Sequence, residues 1–198
     1  IKLDNAAKLN ALTPDMMSGF GRILEEVEAA ADVRAVLLTS AGDRFFCAGA
    51  DINAWSGHSP QEFARIWVRG GHRLFDRLAR LAKPTIAVLQ GNAFGGGLEL
   101  AAACDIRVMA TGAELALPET GVGIVPGWSG TQRLMRLLPE PVVKEMALFG
   151  RRLSADRALA LGFVAEVASN PLETATDIAA RLSGNSPTAT EIAKYMIH

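Results

Sequence analysis

Short apolar runs alternate along the chain with longer stretches in which apolar residues recur every three or four positions. The short runs predict buried strands at residues 36–39, 85–89, 106–110 and 163–167. The longer stretches predict helices at residues 14–31, 60–81, 98–104, 129–138, 141–149 and 155–161, and further helix after the last strand, over residues 168–198. Because strands alternate with helices and the strands lack a polar face, the pattern indicates α/β architecture with covered sheet faces.

Turn and cap residues set several of these boundaries. Thr13 precedes a proline, as at many helix starts, and Ser59 with Glu62 forms a capping box. Ser154 caps a later helix, which Gly162 ends. The predicted inner faces of the first two helices consist of Phe20, Ile23, Leu24 and Val27, and of Phe63, Ile66, Trp67, Leu74, Leu78 and Leu81. Residues 40–58 are predicted to be irregular.

Composition narrows the classes of function. The 198 residues, 49% apolar and 21% charged, fit one globular domain with no internal linker. A net charge of −1 without a basic block argues against a nucleic-acid partner. The absence of a long apolar run and of a signal-peptide pattern argues against a membrane partner and favours the cytoplasm, or an organelle matrix in a eukaryote. Cys47 and Cys104 lack metal-ligand spacing and are predicted to be core residues, so no metal is expected.

A glycine-rich turn, residues 91–97, leads from a predicted strand into a helix. It lacks the spacing of a dinucleotide-binding turn, and no Lys-Ser or Lys-Thr pair follows it, so we do not expect it to bind nucleotide phosphate. The glycines could serve only a tight turn and close packing of the helix. They also leave backbone N–H groups accessible, and such groups can stabilise an oxyanion.

Two glutamates stand beside glycine-rich or turn-forming sequence. Glu99 lies on an apolar helix, where a buried carboxylate is costly unless it is paired or functional. Glu119 follows a proline and could simply favour a helix start. Paired carboxylates are suited to moving protons at carbon and to activating water, with one acting as acid and the other as base. The pair therefore predicts an enzyme that acts on an activated carbonyl compound.

Other candidate sites are weaker. The loop of residues 47–51 could be an ordinary tight loop or could let a flat ligand follow the backbone, and Asp51 could cap the next turn. Ser129 sits in a sequence that resembles a nucleophile elbow without its second glycine, and we predict a helix cap there. Trp128 could belong to the core or line a pocket. No convincing Ser-His-Asp set supports a protease.

Taken together, these motifs resemble the crotonase family, the enoyl-CoA hydratase/isomerase superfamily, over nearly the whole chain and in the family's order. The matching segments are Cys47-Ala48-Gly49-Ala50-Asp51-Ile52, Gly91-Asn92-Ala93-Phe94-Gly95-Gly96-Gly97-Leu98-Glu99-Leu100, Pro118-Glu119, Val125-Pro126-Gly127 and Gly130-Thr131-Gln132-Arg133-Leu134. The resemblance implies an α/β spiral of repeated ββα units with two roughly perpendicular sheets. It also implies an acyl-CoA thioester as substrate, no cofactor beyond the coenzyme A of that substrate, and a homotrimer or a dimer of trimers.

The resemblance assigns a role to each candidate residue. The backbone N–H groups of Ala50 and Gly96 would form an oxyanion hole for the thioester carbonyl. Glu99 would act on water and Glu119 on the α-carbon proton, as in hydratases, which carry both glutamates. Substrate and CoA would contact Ala11, Ala48, Gly49, Asp51, Ile52, Asn53, Gly95 and Trp128. Trp128 stands where the family often has a small residue, so it would reshape the acyl pocket.

Several alternatives stay open at this level. Within the family they are a Δ3,Δ2-enoyl-CoA isomerase and a carnitinyl-CoA-type dehydratase. From another class, a non-catalytic protein that binds CoA esters remains an alternative, although retention of both glutamates argues against it. Both ends of the chain read as interrupted elements. We therefore expect residues 1–198 to be the core domain of a longer protein whose C-terminal helical trimerisation region lies outside this sequence.

Overall fold

Nine strands in two sheets form the framework of residues 1–54 and 57–197, the part of the chain that the computed structural model describes. The strands are β1 (Lys2–Leu3), β2 (Val36–Ser40), β3 (Phe45–Cys47), β4 (Thr85–Leu89), β5 (Asn92–Phe94), β6 (Ile106–Ala110), β7 (Glu114–Ala116), β8 (Leu153–Ser154) and β9 (Glu166–Ala168). The larger sheet has the order β1-β2-β4-β6-β9 and is parallel throughout. The smaller has the order β3-β5-β7-β8, in which only the β7–β8 pair is antiparallel.

Three consecutive pairs of strands each contribute one strand to the larger sheet and one to the smaller sheet. β2, β4 and β6 enter the larger sheet, and the strands that follow them, β3, β5 and β7, enter the smaller one. The α-helices are α1 (Pro14–Ala29), α2 (Pro60–Glu62), α3 (Arg69–Ala79), α4 (Gly96–Ala102), α5 (Gly130–Leu137), α6 (Glu140–Phe149), α7 (Ala155–Ala160), α8 (Pro171–Ala180) and α9 (Pro187–Ile197). The predicted α/β class and its two sheets are confirmed. Position 198, predicted as helix, lies outside the described residues.

Most of the longer buried strands were predicted correctly from the sequence, whereas the short strands were not. Residues 36–39, 85–89 and 106–110 are strands as predicted, but the strand expected at 163–167 is β9, three residues later. The prediction missed β3, β5 and β7, each of three residues. Such strands are too short to show an apolar period, and β3 lies inside the region predicted to be irregular.

The helix after Ser59 changes its hydrogen-bond pattern between α2 and α3. The capping box at Ser59 and Glu62 is confirmed, but Phe63–Val68 forms a π-helical segment. A π turn holds an extra residue and so shifts the phase of the apolar face. Ile66, predicted to face inward, is therefore 61% exposed, and Phe75 is fully buried instead. Ile23 on α1 is likewise 38% exposed rather than part of the inner face.

Each of the three glycines at the start of α4, residues 95–97, has a steric reason. Gly95 has a φ of +53°, a value that favours glycine. A β-carbon on Gly96 would lie 2.7 Å from Cζ3 of Trp128. A β-carbon on Gly97 would overlap the backbone carbonyl of Cys47. The three glycines therefore bring the start of α4 into direct contact with β3 and with the Trp128 ring.

Substitution of Gly97 by alanine is expected to destabilise the protein by roughly 2–4 kcal/mol, because the new β-carbon would overlap the backbone carbonyl oxygen of Cys47 at the end of β3. Urea denaturation measures the change. Gly70→Ala is the matched control, since a β-carbon at that helical position meets no heavy atom of the described residues within 4 Å. That control should gain up to about 1 kcal/mol from helix propensity. Equal stability of the two variants would contradict the packing of Gly97 on β3.

Two further sequence expectations concern the core and the membrane. Cys47 and Cys104 are free and buried, as predicted, and burial raises the pKa of each thiol to about 12. Such thiols stay protonated and unreactive at neutral pH.

Among the described helices, none combines the length and the apolarity that crossing a membrane requires.

Candidate active site

Glu99 is fixed in place by the two ends of α4. At the first turn, the glycines seat the helix against β3 and Trp128. At the last turn, the buried guanidinium of Arg107 donates to the carbonyl oxygens of Ala101 (3.2 Å) and Cys104 (2.8 Å). The Ala101 carbonyl also accepts the backbone N–H of Cys104 (3.2 Å), so Arg107 adds a charged donor at the end of the helix, where carbonyl groups run short of intrahelical partners. A helix anchored at both ends holds the Glu99 side chain at a defined position.

The carboxylate of Glu99 is buried and accepts two backbone hydrogen bonds. Its Oε1 accepts the N–H groups of Trp128 (2.8 Å) and Gly130 (2.7 Å), and the residue is 2% exposed. Burial raises the pKa of Glu99, while these two N–H donors and the charge of Arg133 partly lower it. The acid is thus oriented through one oxygen, which leaves the other for chemistry.

Glu119 opens a single 3-10 turn, Glu119–Val122, that follows β7. The residue is 7% exposed, and its Oε2 has no hydrogen-bond partner among the described residues. Burial first, and the charge of Glu99 as well, raise the pKa of Glu119 from 4.5 to about 7. A β-carbon on Gly95 would lie 2.9 Å from Oε1 of Glu119. The structure therefore brings the two predicted glutamates together beside the start of α4.

The backbone N–H groups of Ala50 and Gly96 lie next to each other at this site. A β-carbon on Gly96 would be 3.5 Å from the nitrogen of Ala50, and one on Gly49 would be 3.3 Å from the nitrogen of Gly96. Gly96 begins α4, so its N–H has no partner within the helix. Leu12 bonds to the residues on either side of Ala50 and leaves the Ala50 N–H unused among the described hydrogen bonds. The backbone N–H groups of Ala50 and Gly96 are therefore both available to a ligand at the same place.

The loop after β3 crosses the same region. The isolated bridge between Leu12 and Ala50 places Ala11 beside this loop, which runs through Ala48 and Gly49 into the 3-10 turn Ile52–Ala54. Ile52 and Asn53 are exposed there. The buried carboxylate of Asp51 accepts from Lys8 Nζ (2.8 Å) and from the Asn53 N–H (3.1 Å). Asp51 thus stabilises the turn, and its side chain is already partnered.

Residues 127–130 pack against α3, which sequence alone did not reveal. Ser129 was predicted to cap α5, and it does precede that helix, but its hydroxyl makes no capping bond and contacts Nδ1 of His72 instead. Arg133 donates to the carbonyl of Trp128 (2.9 Å) and to Asp76 (2.9 Å). Because His72 and Asp76 are one turn apart on α3, a single helix face positions the loop that holds Glu99.

The residues that prediction missed here act mainly through the backbone. The N–H groups of Trp128 and Gly130 hold Glu99, and at position 130 only glycine fits, because a β-carbon there would overlap Cγ of Glu99. A backbone N–H is common to all residues except proline, so the sequence does not show which ones reach Glu99. Arg133 and His72 carry recognisable side chains, but only the fold brings them to this loop.

The chain is similar to known proteins in both sequence and structure. The profile of the family described as enoyl-CoA hydratase/isomerase matches residues 1–198. A short-chain-enoyl-CoA hydratase of Clostridium acetobutylicum is 37% identical over 200 residues, which cover 100% of this chain and 76% of that protein. A carnitinyl-CoA dehydratase of Salmonella typhi is 39% identical over 92% of this chain and 70% of its own length. The solved structure of an enoyl-CoA hydratase from Bacillus anthracis superposes with a TM-score of 0.94 at 37% identity, covering 99% of this chain and 76% of that one.

Proposed function

The chain belongs to the enoyl-CoA hydratase/isomerase family, and on that basis we propose that it reversibly adds water across the α,β double bond of an acyl-CoA thioester. One observation carries the proposal: two buried glutamates stand beside two adjacent N–H groups for which the described part of the chain supplies no recorded hydrogen-bond partner. Coenzyme A enters as part of the substrate, and the proposed chemistry uses no other cofactor.

The N–H groups of Ala50 and Gly96 would bind the thioester carbonyl oxygen. Charge drawn onto that oxygen makes the β-carbon electrophilic, and the donors stabilise the enolate that forms when water adds. Losing one donor of this kind typically costs about 3–4 kcal/mol of transition-state stabilisation. The loop after β3 and the start of α4 would thus supply the electrophilic half of the site.

The glutamates would move the protons. Glu99, oriented through Oε1, takes a proton from water as the new carbon–oxygen bond forms at the β-carbon. Glu119, whose pKa of about 7 lets it carry a proton at neutral pH, delivers that proton to the α-carbon. At the end of the reaction Glu99 holds one proton and Glu119 has lost one. Transfer of a proton from Glu99 to Glu119 therefore restores the starting state of the pair.

Crotonyl-CoA tests the proposal directly. Hydration removes the conjugated thioester absorbance and yields a product heavier by one water, which mass spectrometry identifies. A double bond that only moves would point to the isomerase, and turnover restricted to a carnitinyl ester would point to the carnitinyl-CoA-type dehydratase. CoA-ester binding without any turnover would overturn catalysis and leave a binding protein.

We also propose a homotrimer or a dimer of trimers. Four exposed apolar side chains support an interface on the face formed by the end of α6 and the segment after Glu119: Val122 (66% exposed), Val125 (72%), Leu148 (63%) and Phe149 (82%). Thr120 donates to the carbonyl of Ala147, which joins these two segments into one surface. A monomeric mass in light scattering would contradict the assembly without affecting the reaction.

A further inference from the structure

The indole of Trp128 spans the candidate site from α4 to α3. At one end, its Cζ3 and Cε3 atoms lie 2.7 Å and 3.0 Å from where a β-carbon of Gly96 would be. At the other end, the pyrrole ring occupies the position that a β-carbon of Gly71 would take. Glycine at both positions is what lets so large a side chain fit between the two helices.

The ring is held there from several sides. Its Nε1 donates to the carbonyl of Trp67 (3.1 Å), and its centroid is 5.2 Å from the Trp67 ring and 5.1 Å from the Phe75 ring. The residue is 3% exposed. Aromatic packing at these distances, together with a satisfied N–H, favours one rotamer over any that would vacate the space. Trp128 is therefore a fixed wall.

This wall stands where an acyl chain would extend. The thioester oxygen would sit at the N–H groups of Ala50 and Gly96, and a β-carbon on Gly96 would lie within 3.5 Å of both the ring edge and the Ala50 nitrogen. The β-carbon would lie near Glu99, whose Oε1 accepts the backbone N–H of Trp128 itself. The same residue thus borders both the carbonyl site and the water-activating acid.

We propose that the Trp128 indole closes the acyl pocket and restricts the protein to short acyl chains. The inference rests on the proposed function and adds the substrate class and the residue that sets it. Each methylene that enters an apolar pocket normally strengthens binding by about fourfold. A chain that meets a fixed indole instead loses that gain and clashes.

The test compares wild type, Trp128→Ala and Trp128→Phe on crotonyl-, hexenoyl- and decenoyl-CoA. Wild type should favour crotonyl-CoA, and Trp128→Ala should raise kcat/KM for decenoyl-CoA relative to crotonyl-CoA by about 10–100-fold. Trp128→Phe should shift the preference less and guards against misfolding of the smaller variant. The backbone N–H that holds Glu99 is retained in both variants.

Trp67→Leu is the matched control. It removes one ring that packs on Trp128 but keeps the backbone carbonyl that accepts Nε1 and the contact with Phe75, so Trp128 should stay against Gly96 and the preference for short chains should persist. Wild-type activity equal on four- and ten-carbon chains would overturn the inference, and so would an unchanged preference in Trp128→Ala.

A binding measurement separates the inference from the proposed function. Calorimetry with butyryl-CoA and decanoyl-CoA, which lack the double bond, reports chain-length selection without turnover. Selective binding of butyryl-CoA, relaxed by Trp128→Ala, would support the wall even if no enoyl-CoA were hydrated. Equal affinity for both esters in wild type would overturn the wall even if crotonyl-CoA were hydrated.

Discussion

Replacing Glu99 with glutamine is expected to lower kcat/KM for hydration of crotonyl-CoA by about 10²–10⁴-fold, the usual contribution of a positioned acid or base. The amide keeps the shape of the side chain, and its oxygen can still accept the N–H groups of Trp128 and Gly130. The fold should therefore survive while the water-activating base is lost. Stopped-flow absorbance of the conjugated thioester gives the rate, and circular dichroism checks the fold.

Glu114→Gln is the control for this substitution. Glu114 lies on β7, pairs with Arg152 at the surface and precedes the candidate site by a few residues. Removing its charge should leave the hydration rate within about twofold, since surface ion pairs contribute little. A Glu99→Gln variant as active as Glu114→Gln would remove Glu99 from the mechanism.

Replacing Glu119 with glutamine is expected to have two large and opposite effects. Hydration should fall by about 10²–10⁴-fold, because the proton donor to the α-carbon is gone. At pH 8 the variant should be more stable than wild type by up to roughly 2–3 kcal/mol, because it no longer ionises a buried group. Hydration kinetics and urea denaturation measure the two effects on the same samples.

The raised pKa of Glu119 determines how the stability difference between wild type and Glu119→Gln changes with pH. The pKa of Glu119 is about 7 in the folded protein and near 4.5 in its ordinary state. Below about pH 4 both states hold the proton, so wild type and variant should be equally stable. Between about pH 4.5 and 7 the unfolded chain loses the proton first, so wild-type stability falls as the pH rises. A difference that grows toward acidic pH would contradict the raised pKa of Glu119.

Proton exchange separates the roles of the two acids. In D₂O, removal and return of an α-proton of butyryl-CoA requires only the acid that faces the α-carbon and the two N–H donors. Glu99→Gln should therefore keep this exchange while losing hydration, and Glu119→Gln should lose both. Exchange lost in Glu99→Gln and kept in Glu119→Gln would reverse the assignment.

The sequence by itself determined the class of fold, most of the longer elements and the family. Runs such as residues 85–89 and the caps at Thr13 and Ser59 predict structure because burial and capping act over a few neighbouring residues. Glu99 could also be recognised from its local sequence, because a carboxylate in an apolar helix is costly unless it is paired or functional. The three-residue strands escaped prediction because their pairing partners supply most of their order.

Only the tertiary structure decided what surrounds the acids. The partners of Glu99 are backbone N–H groups 29 and 31 positions further along the chain, which no side-chain pattern announces. The π-helical segment moved Ile66 outward, and the hydroxyl of Ser129 bonded to α3 rather than capping a helix. Trp128 fits because glycines 71 and 96, far apart in sequence, leave room on two helices. Close packing depends on distances between segments, which the order of residues alone does not give.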